Sequence, residues 1–216
     1  MHEAEPPPLQ RAGGGAGAVV MLACLVLLVA SAVGALLLGP LSKSPVPQPG
    51  LPEAPAYLAT HVAAVFGVAA SDLVAAAALY IYGAYVPHVV HSLRRIRFAL
   101  LVAVAALTLA ALAGFALAVV APVASDSVIH VLHTASWLCG GVLHIGTLGL
   151  YVAWLARSLF WSPTLRVYGV LAGWFAVAAM AVLAFGELSP LATVARVACL
   201  LWLLLAAHQS AFRDPS

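Results

Sequence analysis

The chain has 216 residues, of which 64% are hydrophobic and only 7% charged, and its formal net charge is +2. A soluble domain carries about 25% charged residues, so a mean hydropathy of +1.09 excludes a water-soluble globule and implies an all-α, polytopic transmembrane helix bundle. The net charge is too small to point to nucleic acid. The expected partner is the lipid bilayer of a cell membrane, such as the plasma membrane of a bacterium, with homo-oligomerisation or membership of a membrane complex left open.

Residues 1–17 are polar and rich in Pro and Gly, which predicts a disordered N-terminal tail. The first apolar run spans 18–38 and is followed by the Pro-rich segment Leu41–Pro55, which predicts an extended loop. Five further runs cover about 56–86, 98–121, 128–156, 167–185 and 191–207, and 210–216 forms a polar C-terminal tail. Each run is long enough to cross a bilayer at 1.5 Å per residue, giving six spans. Arg94, Arg95, Arg97, Arg157, Arg166 and Arg213 cluster at the ends of spans two, four and six or just beyond, while Lys43, Glu53, Asp126 and Glu187 fall on the opposite side. An excess of Lys and Arg marks the cytoplasmic face, so both termini are expected to be cytoplasmic. The competing possibility is that the first run is a signal peptide cleaved near Val29–Ala35, which is rich in small residues. Cys24, Cys139 and Cys199 lie inside apolar runs without a CxxC pair, as small buried thiols do.

The polar residues inside the spans carry whatever function the chain has. Asp72 lies about 22 Å into its run, where a carboxylate must be neutral or paired. A proton relay, a cation site or a polar lock between helices would each place it there. His144 lies at similar depth in the fourth run, so Asp72 and His144 form a candidate polar pocket between spans two and four. At 100° per residue His130, His133, Trp137, Gly141 and His144 share one broad helix face, and His61 returns to nearly the face of Asp72. The fourteen-residue separation of His130 and His144 suits a b-type haem helix, but Ala75 stands where the partner histidine after His61 would be. A single haem held by His61 with His130 or His133 remains, as does a divalent or copper ion held by His61, His130 and His133, with Asp126 as a further ligand. Glu187 and Arg196 face each other across a tight turn and are expected to form a structural ion pair. No HExxH and no nucleophile elbow is present, so nothing points to an enzyme. The leading expectation is a non-enzymatic membrane protein working through the Asp72–His144 pocket. A haem or metal-binding protein comes second, and a proton-coupled small transporter centred on Asp72 third.

Gly114–His133 (GFALAVVAPVASDSVIHVLH), the Arg-bounded loop Arg157–Arg166, and Arg196 followed by LLWLLLAA resemble a bacterial six-span membrane family catalogued as domain of unknown function 998. That resemblance covers about the last half of the chain and would make Asp126, His130 or His133, and Arg196 family-type positions. It departs from the family in its doubled histidine and in lacking FPxD before the loop acid, and it implies no activity. His133–Gly141 (HTASWLCGG) is also similar to a helix start in CopD-type copper-resistance membrane proteins, over one or two turns.

Overall fold

The computed structural model describes residues 15–38, 49, 51–86, 94–183 and 189–212, with side chains throughout except at 38, 182–183 and 189–190. Most of the Pro-rich loop, with Lys43, His88, His91, Glu187 and Arg213, lies outside these ranges. The elements in chain order are α1 (Gly15–Leu38), α2 (Ala54–Thr60), α3 (Val62–Tyr85), α4 (Arg94–Val120) and α5 (Asp126–Trp137). A π-helical segment, Leu138–Leu143, joins α5 to α6 (His144–Leu155). Then come α7 (Pro163–Ala178), which tightens into a 3₁₀ turn at Ala179–Leu183, and α8 (Ser189–Phe212). No strand occurs among the described residues. Six helices are long and apolar enough to cross a membrane, with α5, the π segment and α6 counting as one. The chain is a multi-pass membrane protein of the expected all-α class.

The helix ends differ from the apolar runs in ways that local chemistry explains. The run 56–86 is two helices, broken at His61, whose φ of −114° and ψ of 32° leave the helical basin. The His61 ring turns back to the Tyr57 carbonyl at 2.9 Å and stacks on the Tyr57 ring at 4.1 Å. The third helix starts at Arg94, ahead of its apolar run, so that exposed Arg94, Arg95 and Arg97 occupy its first turn. The fifth starts at Pro163, because Ser162 caps it by accepting from the Leu165 N–H and proline needs no N–H in a first turn. The last helix continues to Phe212, into the expected tail.

Consecutive spans pack as neighbours: α1 on α3, α3 on α4, α4 on α6, α6 on α7, and α7 on α8. The ring is closed by α8 packing against α1, and α8 also touches α6. At that closure a Cβ at Gly17 would lie 2.9 Å from Ala211, so the start of α1 and the end of α8 sit at the same end of the bundle. Small residues make up much of the buried face of α4, beside Ile96, Leu100, Leu107 and Leu117. Ala103, Ala106, Ala110, Ala111, Gly114 and Ala118 of α4 are buried, whereas Leu101, Leu109, Leu112 and Val119 of the same helix are exposed. Lipid solvates large apolar side chains as well as a core does, so burying small residues and letting backbones approach is what holds such helices together.

The closest approach is between α6 and α7, where a Cβ on either Gly149 or Gly173 would lie 2.5 Å from the other's carbonyl oxygen. Trp202 is fully buried and donates its indole N–H to the Leu165 carbonyl at 2.8 Å. Its ring packs edge-on against Trp161. Introducing Val at Gly149 or Gly173 is expected to destabilise by about 1–3 kcal/mol through overpacking. Gly141→Ala, where nothing lies within 4 Å of the new Cβ, should cost nothing measurable. Thermal unfolding in detergent checks both, and an unchanged Tm for Gly149→Val would refute the close approach.

Candidate functional site

Arg196 lies within electrostatic range of two further ionisable side chains from other spans, Asp72 and His144, with no hydrogen bond or ion pair to either among the described residues. Asp72 lies about 15 Å along α3 from Val62, Arg196 about 10 Å along α8 from Ser189, and His144 about 16 Å from the Leu155 end of α6. These spans are the second, sixth and fourth, so they run in one direction, and all three residues lie inside the membrane-spanning part of their helices, His144 deepest from the common starting end. Arg196 links them: its charge interacts with both the Asp72 carboxyl and the His144 ring. Its Nη2 donates to Ser31 Oγ on α1 at 3.4 Å, and its Nε is buried with no partner among the described residues.

Asp72 and His144 are held differently. His144 is 1% exposed, and its Nδ1 lies 3.1 Å from the Ala103 carbonyl of α4. A carbonyl only accepts, so Nδ1 carries the hydrogen and Nε2 is the acceptor of the neutral ring. The half-buried Asp72 carboxyl accepts no hydrogen bond among the described residues. Its Oδ2 stands beside the π segment, 3.7 Å from where a Cβ of Gly140 would be. The same Cβ would lie 3.0 Å from Ala110 of α4, so glycine is what lets the π segment approach both helices. Next to Asp72, the buried Ser71 bonds its own helix at the Val68 carbonyl.

The expected Asp72–His144 pocket is therefore differently built. No direct hydrogen bond or ion pair joins the two among the described residues, α4 packs against both of their helices, and Arg196 supplies the connection. Arg196 was assigned to a pair with Glu187, which lies outside the described residues. Its guanidinium bonds α1 and faces the Asp72 charge of α3. Ser31 has no signal in the sequence beyond being a hydroxyl in an apolar run. Arg196 stands some two turns inside its span, and that depth is the signal that it needs an interior partner.

The π segment also alters the histidine face. Its i→i+5 bonds put an extra residue in each turn, so the 100° step linking His130 and His133 to His144 is interrupted. His130 and His133 stay a pair one turn apart on α5. They interact electrostatically, and the Nδ1 of each is buried without a partner among the described residues. His61 bonds Tyr57 and lies 3.0 Å from Thr60 Oγ1, while Asp126 is exposed in the first turn of α5. Among the described residues no three His, Cys, Asp or Glu side chains group closely enough to hold a metal ion, so His61, His130, His133 and Asp126 do not assemble as one site. Toward the other end of the bundle, Tyr82 donates to the Leu203 carbonyl and the buried Tyr151 hydroxyl has no partner.

No family profile, curated protein or solved structure matches the chain. The resemblances to the domain of unknown function 998 family and to CopD-type proteins find no support there.

A double-mutant cycle tests the link between α3 and α8. Asp72→Asn and Arg196→Met should each destabilise the protein, and the double variant should recover a coupling of at least about 1 kcal/mol. Thermal unfolding in one detergent is the measurement. Additive losses, within about 0.5 kcal/mol, would mean that the two charges do not interact.

Proposed function

We propose that the chain is a non-enzymatic integral membrane protein whose working site is the cluster of Asp72, His144 and Arg196, and that Asp72 is the proton-exchanging centre of a small carrier. The observation that carries this is the position of Arg196, a permanent cation in the bundle interior facing one carboxyl and one imidazole. Intramembrane ionisable groups are costly and are retained mostly for ion and proton movement. A purely structural lock would engage its groups fully, and here the Asp72 carboxyl and Arg196 Nε have no hydrogen-bond partner among the described residues. The π segment adds to the case, since such irregular turns concentrate at functional sites. The haem or metal alternative has less support, because His61 is engaged within its own helix turn and no three-ligand group forms among the described residues.

We place both termini in the cytoplasm of a cell. Exposed Arg94, Arg95, Arg97 and Arg157 lie at the end of the bundle shared by the start of α1 and the end of α8, and exposed Asp126 and Glu53 lie at the other. In intact cells an impermeant maleimide should label Ser127→Cys and spare Thr164→Cys, and the reverse pattern would invert the topology.

Proteoliposomes containing the purified protein and an internal pH dye should acidify faster than empty ones under an inward proton gradient. Asp72→Asn should reduce the protein-dependent rate by about tenfold or more, as expected for loss of a residue that carries the proton. Equal rates with and without protein would remove the carrier function.

A further inference from the structure

The charge balance around Arg196 restricts what can move with the proton, on the premise that the cluster is a proton-exchanging site. A guanidinium does not lose its proton in a protein, so Arg196 remains a cation in every state of the cycle. In a bundle surrounded by lipid such a charge needs an anion close by. The facing groups leave little choice. On the helices that pack against α8 the titratable side chains are Cys24 of α1, His144 and Tyr151 of α6, and Arg166 and Tyr168 of α7, none of them an acid. Across the ring, α3 contributes Asp72, and the elements packed on α3 add only Tyr57, His61 and Glu53 at its outer end and Arg94, Arg95 and Arg97 at the start of α4. Among the described residues, Asp72 is thus the one acid whose charge faces Arg196.

When Asp72 takes up a proton, that counter-charge disappears while the guanidinium stays. Among the described residues its Nε is already buried and unpartnered, and Nη2 holds only a long 3.4 Å bond to Ser31. Donors of this kind bind anions, and the same fixed charge repels metal cations. The one negative charge removed from beside Arg196 calls for a monovalent replacement. We propose that Arg196 is the binding site for a small monovalent anion, which enters together with the proton that neutralises Asp72, so that the cluster carries both as an electroneutral pair. One proton and one monovalent anion leave the net charge of the site unchanged. Binding of either favours binding of the other by the same factor.

The test uses the full chain in proteoliposomes with an internal pH dye and external chloride, nitrate or methanesulfonate, against gluconate as a large reference anion. Each small anion should speed internal acidification by about tenfold over gluconate, within the usual range of coupling between sites. A valinomycin–potassium potential of either sign should leave the rate unchanged. Asp72→Asn should abolish anion-driven proton entry and make exchange of radiolabelled chloride independent of pH. Arg196→Gln should lose proton entry and chloride exchange together. Asp72→Asn/Arg196→Gln, with no charge left to compensate, serves as the folded control and should move neither. Proton entry at one rate in all four media would leave the proposed carrier intact and overturn the anion site. So would chloride exchange that survives Arg196→Gln, or a rate that follows the imposed potential. Absence of any proton entry, with or without anions, would instead remove the carrier itself.

Discussion

A permanent cation two turns inside a membrane span, part-exposed but with its Nε buried, is the constraint on which the rest of this structure turns. Arg196 cannot shed its charge, and the bilayer around the bundle offers it neither water nor counter-ions. The fold answers by closing the ring of spans at α8 and α1, which brings the guanidinium to Ser31 and within the field of Asp72 on the next helix. That closure is made of small residues at one end, where Gly17 meets Ala211, and of the arginine's own reach deeper in. Packing and charge thus act on the same seam. If α1 and α8 separated, Arg196 would lose Ser31, and α3, which packs on α1, would carry Asp72 away with it.

Close approach has its own chemistry in an apolar medium. Between α6 and α7 it depends on Gly149 and Gly173, whose missing side chains let each helix reach the other's backbone. Between the π segment and its neighbours it depends on Gly140, which faces both Ala110 and Asp72. The two places differ in what they serve. The first joins helices through apolar contact alone. The second puts an irregular turn of backbone beside an ionisable carboxyl, and a side chain on that glycine would press on the acid directly.

How much of this was legible in the sequence follows from how far each cause reaches along the chain. The six spans were legible because each is a local run of apolar residues, and the capping Ser162–Pro163 pair and the arginines at 94, 95 and 97 explain most shifts in helix ends. The break at His61 was not, because it depends on how one ring folds back on Tyr57. Asp72 and His144 stood out by depth alone. The partnership of Arg196 was invisible because it crosses from α8 through α1 to α3, while the acid nearest in sequence, Glu187, offered a local alternative. The single face proposed for His130, His133 and His144 assumed an even helical step, which six residues of π helix interrupt. Trp202 reads like an interfacial aromatic, yet an indole N–H can be buried if a carbonyl receives it, and Leu165 does.

The satisfied polar groups sharpen the meaning of the unsatisfied ones. Thr60, Ser71, Thr108, Thr147 and Ser210 all return their hydroxyls to carbonyls three or four residues back in their own helices. Such self-contained bonds cost the bundle almost nothing and tie no helices together. Among the described residues Arg196 Nε, the Nδ1 atoms of His130 and His133, and the Tyr151 hydroxyl have no such outlet, and a buried bond left unmade costs about 1–3 kcal/mol. These groups lie at three levels: the histidine pair near the start of span four, Arg196 in the middle, and Tyr151 about two helical turns beyond His144. A lock between helices concentrates its polar groups at one level and pairs them there. The unpaired groups among the described residues are instead spaced through the depth of the bundle, so they do not form a single lock of that kind.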